Sequence, residues 1–343
     1  MLLPKFDYIR PESLQEASRL LADKGGAARL MAGGTDLLPR MKYDLLSCDS
    51  LVSLGGISVQ EPELGPDGGL RVHAMMRLAD LAANPLVVQH APCLAEAALE
   101  VASNQVRQMA TLGGNLCQDA RCLFYNQAHT YQFMEPCFKR GGDLCYFMPK
   151  GKKCWAVFMS DTATALIALG AEVELINKAV IRKLPLLELY SGDSSAPLTL
   201  LPGEILQSVI VPPISGFPGR ARGSAFIKFA MRGGVEFAGL NVAASLSLKD
   251  NGGACGEAIV AVGAVGSAPL LAKKAGQSLS GRTVNDESLD AVAAKAAEEI
   301  RPFPHHGYQA SYLRTILQIK VKESLSLAWQ RAVRLQSLRG ETQ

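Results

Sequence analysis

The chain has no strong excess of charge of either sign. Thirty-five Lys and Arg stand against 32 Asp and Glu, for a net charge of +3 over 343 residues. Nucleic-acid and membrane-surface binders concentrate basic charge, so this balance argues against both. No uninterrupted apolar run reaches the roughly 18 residues that a transmembrane helix needs, and none is expected. The opening stretch MLLPKFDYIR lacks a basic region followed by an apolar one, so no secretory signal is expected and the cytoplasm is the default location. There is no solenoid repeat, no G-x-G-x-x-G fingerprint and no Walker loop. Ser-His-Asp, paired-carboxylate and H-E-x-x-H arrangements are also missing, which leaves no catalytic residues to nominate. His305-His306 lies in a Pro-flanked turn and reads as structural.

What the chain does have is core-forming material: 48% hydrophobic and 20% charged residues, enough for two or three packed units. Pro11 opens a first helix with Ser13 and Glu16 as a capping box, and Leu14, Ala17, Leu20 and Leu21 form its apolar stripe. Strand-like runs follow at 28–32 and 50–54. Residues 1–56 thus read as a small β-α-β unit. A second unit, 57–178, has a strand at 69–75 and a helix from Ala91 to about Val106. Residues 118–158 show little periodicity and read as an insertion. A third, α+β unit, 179–343, has strands at 224–230, 240–248 and 258–265, a turn at Asp250 to Gly253, and helices at about 287–300 and 311–335.

Two loops, AGGTDLL (32–38) and TLGGNLC (111–117), each place Gly-Gly beside a small polar side chain. Glycine lets backbone N–H groups approach an anion closely, and successive inward N–H groups form a phosphate nest. Thr35 and Thr111 add hydroxyl donors. Taken singly each is a tight turn; together they point weakly to a diphosphate ligand.

Five of the eight cysteines fall between Cys117 and Trp155. In a reducing compartment, clustered thiols more often bind metal than pair with each other. Cys122, Cys137, Cys145 and Cys154 follow the spacing C-x14-C-x7-C-x8-C, without the close C-x2–4-C pairs of structural zinc sites. The spacing alone leaves an iron–sulfur cluster, zinc and no metal all open.

The ordered segments FDYIRPESLQEA, AGGTDLLPRMK, TLGGNL, SDTATAL, FIKFAMR and ASYLRTIL resemble the FAD-binding medium subunit of the molybdenum hydroxylases, the carbon monoxide and xanthine dehydrogenases among them. The resemblance covers nearly the whole chain. It implies an α+β fold of two small α/β subdomains that bind FAD, followed by an antiparallel sheet with helices. It places the FAD pyrophosphate between Leu30, Met31, Ala32, Gly33, Gly34, Thr35, Asp36 and Leu37 on one side and Thr111, Leu112, Gly113, Gly114 and Asn115 on the other. Val101 would lie near the cofactor, Asp161 would bond its ribityl or adenosine part, and Leu206 and Lys228 would flank the isoalloxazine. Without the resemblance, Lys228 reads as a solvated lysine at a strand end. One departure stands out: relatives carry Asp in an R-x-x-x-D-x-A stretch where this chain has Arg232, Glu236 and Ala238.

Asn115 and Ser160 are separated by 44 residues, whereas the resemblance implies a gap of only about ten between these two motifs. The insertion, with RCLFYNQ, CFKRGGDLC and PKGKKC, resembles that of the β subunits of 4-hydroxybenzoyl-CoA reductases. That resemblance implies a [4Fe-4S] cluster on Cys122, Cys137, Cys145 and Cys154, with Cys117 unligated and Cys48, Cys93 and Cys255 as packing residues. It further implies electron flow from a ferredoxin through the cluster and FAD, to a small subunit with two [2Fe-2S] clusters and a large molybdopterin subunit, in a dimer of heterotrimers. Lys139, Arg140, Lys150, Lys152 and Lys153 would raise the cluster's potential and could attract an acidic ferredoxin. Flow in the opposite direction, to NAD or another acceptor, is the alternative.

Overall fold

A computed structural model describes residues 2–126, 135–213, 221–232, 234–249 and 253–340. The described residues form twelve strands: β1 (Asp7–Ile9), β2 (Ala28–Met31), β3 (Ser50–Ser53), β4 (Glu63–Leu64), β5 (Leu70–His73), β6 (Glu172–Asn177), β7 (Val180–Pro185), β8 (Ile205–Val211), β9 (Arg222–Phe229), β10 (Leu240–Leu248), β11 (Cys255–Gly263) and β12 (Leu270–Leu271). Among the described residues these make a parallel sheet in the order β1-β3-β2, an antiparallel sheet β4-β5-β8-β6-β7 and an antiparallel sheet β12-β11-β10-β9. The mixture is the α+β architecture expected.

In the first unit, α1 (Leu14–Lys24) starts at Ser13, whose hydroxyl accepts the Glu16 N–H. The Glu16 carboxylate, however, takes the N–H of Glu12 rather than that of Ser13, so the capping box is only half formed. Ser18, fully buried, donates to the Gly203 carbonyl and accepts the Lys178 N–H, each at 2.7 Å. It ties α1 to the second sheet. A short helix, α2 (Leu37–Lys42), follows β2 directly.

In the second unit, α3 (Leu78–Ala83), α4 (Pro85–His90), α5 (Pro92–Leu99), α6 (Asn104–Arg107), α7 (Leu112–Leu116) and α8 (Asp161–Ala168) accompany the five-stranded sheet. The helix expected from 91 to 106 is two helices. Ala102 turns the backbone to φ +46° and the Ser103 hydroxyl accepts the Val106 N–H, which starts a new helix. The second sheet also runs past residue 178: β7 and β8 belong to it, because β8 pairs with both β5 and β6. Sequence texture misses this, since a meander continues over a long excursion between β7 and β8.

The C-terminal sheet is covered by α9 (Lys273–Leu279), α10 (Asp286–Glu299) and α11 (Ala310–Gly340). Every residue of β10 is buried. Ala243 packs into the core that contains α8, while its neighbours Val242 and Ala244 pack into the one that contains α11. Two-sided burial is why this strand reads as a continuous run rather than an alternation. Leu313, Leu317, Val321, Leu325, Ala328 and Ala332 form the buried stripe of α11. The expected turn at Asp250 to Gly253 falls mainly outside the described residues.

Candidate functional site: a dinucleotide cleft beside a four-cysteine cavity

A cleft of about 300 Å³ opens where the first sheet meets the second, large enough for a small-molecule site. Its walls include Leu30, Ala32, Gly33, Gly34, Thr35, Asp36 and Leu37 from the first loop, Thr111, Gly113 and Gly114 from the second, and Leu206 from β8. The two loops touch. A Cβ on Gly33 would stand 1.8 Å from the Met109 carbonyl oxygen, and Gly34 adopts φ +72°. Both positions require glycine.

The loops differ in the amides they offer. The Gly113 N–H already donates to the Ala74 carbonyl (2.7 Å), and the Gly114 N–H donates to Thr111 Oγ1 (3.1 Å). These two are therefore not part of a nest. Among the described residues no acceptor pairs with the N–H groups of Gly33, Gly34, Thr35 or Asp36. The first loop thus presents free donors, and the Thr111 hydroxyl, which accepts from Gly114, keeps its own proton to donate. Arg40, which sequence reasoning missed, also lines the cleft, and its buried Nε has no partner among the described residues. Free amides and a guanidinium on the wall of one cleft suit a diphosphate. The apolar Leu198, Leu200, Ile205 and Met75, from separate strands and loops, complete the walls.

Other predicted residues stand outside this cleft. Leu112 is fully buried core, and Met31 packs beside Met41, Cys48 and Leu51. Asn115 Oδ1 accepts from Ser160 Oγ (2.7 Å) and Thr162 Oγ1 (2.6 Å), linking α7 to α8. Lys228 is not solvated: it is 6% exposed, pairs with Asp161 Oδ2 at 2.8 Å and donates to the carbonyl of Glu100, next to Val101, at 2.7 Å. Asn241 Nδ2 donates to Asp161 Oδ1 at 2.6 Å. Burial pushes the Asp161 carboxyl up, while Lys228 and Asn241 oppose the rise. Asp161 and Lys228 thus form a second, buried pair, with the half-buried Val101 following Glu100 in the chain. The Arg232 N–H donates to the Glu236 carboxylate at 2.6 Å, so the departing residue closes its own turn.

The inserted segment has few regular elements among its described residues: a 3-10 turn at Phe138–Arg140 and a bridge between Cys137 and Leu144. Yet Cys122, Cys137, Cys145 and Cys154 line one small cavity together with Lys139 and Tyr125. Burial raises the Cys122 thiol, and Cys137 and Cys145 add to the rise; burial pushes Cys154 up to about 11. A single zinc ion needs its thiolates to converge at about 2.3 Å from one point. Among the described residues no group of three or more His, Cys, Asp or Glu side chains is arranged to hold one ion. Four soft thiols are the donor set that an iron–sulfur cluster takes. Cys117 lines the dinucleotide cleft instead, pushed up to about 12 by burial. Cys48, Cys93 and Cys255 are buried in the cores. His305 is buried against His306, and burial lowers its pKa to about 4.

The five basic residues near these cysteines divide. Lys139 is buried, Arg140 stands 5.4 Å from the Tyr125 ring, and Lys153 donates to the Gly192 carbonyl and stands over Trp155. Lys150 and Lys152 are the two that are fully on the surface. Among the described residues no helix is long and apolar enough to cross a membrane.

A glycine-walled cleft with unpaired amides is suited to a phosphate-bearing nucleotide. Residues 4–214 match the FAD binding domain in molybdopterin dehydrogenase, and residues 225–326 match the CO dehydrogenase flavoprotein C-terminal domain. The chain therefore belongs to the FAD-binding medium subunits of the molybdenum hydroxylase family, a family of oxidoreductases. It is 32% identical to the aldehyde oxidoreductase FAD-binding subunit PaoB of Escherichia coli, over 85% of this chain and 92% of that one. With the 6-hydroxypseudooxynicotine dehydrogenase complex subunit alpha of Paenarthrobacter nicotinovorans the identity is 28%, over 96% of each. The structure of a Cu,Mo-CO dehydrogenase superposes with a TM-score of 0.77 at 25% identity, covering 97% of this chain and all of that one.

Proposed function

We propose that the chain is the flavin-bearing electron-transfer subunit of a molybdenum enzyme and that its insertion carries a [4Fe-4S] cluster. The observation that carries the second part is the convergence of the four inserted cysteines on one cavity. FAD would be held with its diphosphate against the Gly33 to Asp36 amides, the Thr111 hydroxyl and Arg40; by resemblance Val101 would lie near the cofactor, Asp161 would bond its ribityl or adenosine part, and Leu206 and Lys228 would flank the isoalloxazine. When bound, a flavin and an iron–sulfur cluster supply one-electron exchange, and flavin also takes two. The chain's own residues bind and orient these groups and exclude water. Asp161 and Lys228 hold a fixed charge pair in the interior, and the four thiolates fix the inserted loop.

The finer reading is a 4-hydroxybenzoyl-CoA reductase type of complex. In it a ferredoxin supplies low-potential electrons, and a small subunit with two [2Fe-2S] clusters and a large molybdopterin subunit complete a dimer of heterotrimers that removes the phenolic hydroxyl. The inserted cysteines support this direction of flow. The similarity to an aldehyde oxidoreductase subunit favours a second reading, in which electrons leave through FAD to NAD or another acceptor. Anaerobic purification with iron, acid-labile sulfide and flavin analysis tests the cofactors: about four irons and one FAD per chain are expected, and zinc without flavin would overturn the proposal. Assay of the assembled complex with reduced ferredoxin against NAD separates the two directions.

A further inference from the structure

Lys139 is left unexplained by ligation alone. Lysines are almost never fully buried unless paired, yet this side chain is 4% exposed and lines the same cavity as the four cysteines. Its ammonium pairs with Asp119, donates to the Ala120 carbonyl and stands 5.0 Å from the centre of the Tyr125 ring. The ammonium thus sits in the wall that the four thiols share, close enough for its charge to act on whatever they hold.

Asp119 is shared. Its other oxygen, Oδ2, pairs with Arg40 at 2.6 Å, and Arg40 also faces Asp36 at 3.7 Å. Asp36 and Arg40 both line the dinucleotide cleft, and Arg40 keeps one buried donor unpaired. Charges of alternating sign therefore run from the thiols to the cleft through Lys139, Asp119, Arg40 and Asp36. Arg40 and Asp119 are mostly buried, with side chains 15% and 13% exposed, so their interactions are stronger than the same pairs would be in water.

We propose that Asp119 is a shared counter-ion that couples the two sites, so that filling the dinucleotide cleft makes reduction at the four-cysteine cavity less favourable. This rests on the cluster assignment made above. A diphosphate in the cleft competes with Asp119 for Arg40. Asp119 is then less neutralised from that side and offsets more of the charge of Lys139. The cavity wall becomes less positive, and an added electron is less stabilised there. Linkage makes the effect reciprocal: the dinucleotide binds the oxidised chain more tightly than the reduced one, by the same factor. Arg40, Asp119 and Lys139 are thus positioning residues, acting through the field they set.

The test uses the full-length chain, purified anaerobically, with iron and sulfide measured first. Redox titration with mediators, read by the electron paramagnetic resonance of the reduced cluster, is run with FAD removed and then restored. In the unaltered chain FAD is expected to lower the equilibrium constant for one-electron reduction about tenfold, which is about 59 mV. In Asp119→Asn the shift on adding FAD falls below threefold, and the potential without FAD rises. Lys139→Met lowers the potential about tenfold in the same constant, and Lys139→Arg restores it. If Lys139→Met loses iron, Asp119→Asn, which keeps the lysine, still decides. A response to FAD as large in Asp119→Asn as in the unaltered chain overturns the coupling while leaving the cluster in place. An unaltered chain without iron overturns the cluster assignment, and the coupling with it.

Discussion

The dinucleotide cleft and the four-cysteine cavity adjoin but are built in opposite ways. The cleft is made where β2, β8 and the start of α7 are already fixed by sheets and helices, and its two loops are locked by the contact of Gly33 with the Met109 carbonyl. The cavity belongs to a segment whose described part has one 3-10 turn and one bridge. That segment is held largely by side chains, the Lys139 and Asp119 pair, Tyr125 donating to the Leu45 carbonyl and Lys153 on Gly192, with backbone bonds to Ser194 and Gly266 only at its end. A site built on backbone is formed before its ligand arrives. One built on side chains depends on its ligand for much of its order.

That contrast can be broken in several places. The largest effect is expected from single replacement of Cys122, Cys137, Cys145 or Cys154 by Ser. Iron content should fall at least about tenfold while flavin content stays within about twofold, because the glycine loops of the cleft are set by β2 and α7 and not by the cysteines; joint loss of flavin would refute the contrast. Lys228→Met strands Asp161 as a buried charge, which costs about 3–5 kcal/mol of stability. Urea denaturation should show that loss, with part of it recovered when Asp161→Asn is added. Gly33→Ala forces the two glycine loops apart at a cost of about 1–3 kcal/mol. This should appear as roughly 5- to 150-fold weaker FAD binding in a fluorescence titration, with iron retained.

Acid sharpens the comparison further. Burial pushes the Glu204 carboxyl up, but the Arg182 fork (2.7 and 2.8 Å) and the Leu201 N–H outweigh it and hold the pKa below its usual 4.5. A depressed folded pKa stabilises above the unfolded value and is lost as pH falls through the folded one. Glu204 lines the cleft, so stability measured from pH 6 down to pH 3 should decline below about 4.5, and Glu204→Gln should flatten that decline. The smallest effect is expected at the surface. Lys150→Glu with Lys152→Glu should slow reduction by a ferredoxin about threefold to tenfold at low salt and have little effect at high salt; a rate unchanged at low salt would remove the docking role.

The glycine loops were legible because their chemistry is local: a Gly-Gly pair with a threonine hydroxyl within two residues of it. Their inequality was not, since whether the Gly113 amide is free depends on Ala74, which lies on another segment. Arg40, Leu198 and Leu200 carry no motif and reach the cleft only through tertiary placement. The buried partnership of Asp161, Lys228 and Asn241 joins residues up to 80 positions apart, so the sequence alone made Lys228 a surface lysine. The break at Ala102 had a visible signal in Ser103, a helix-starting side chain inside an apolar periodicity. The extension of the second sheet into β8 had none, because antiparallel strands of two neighbouring sheets share one texture.

Ser18 has a consequence for how the nucleotide leaves. Its hydroxyl joins α1 to the Lys178 turn and the Gly203 loop of the second sheet, so a jaw-like opening of the two lobes has to break both bonds, at about 1 kcal/mol each. Release of a nucleotide by that route is slowed accordingly.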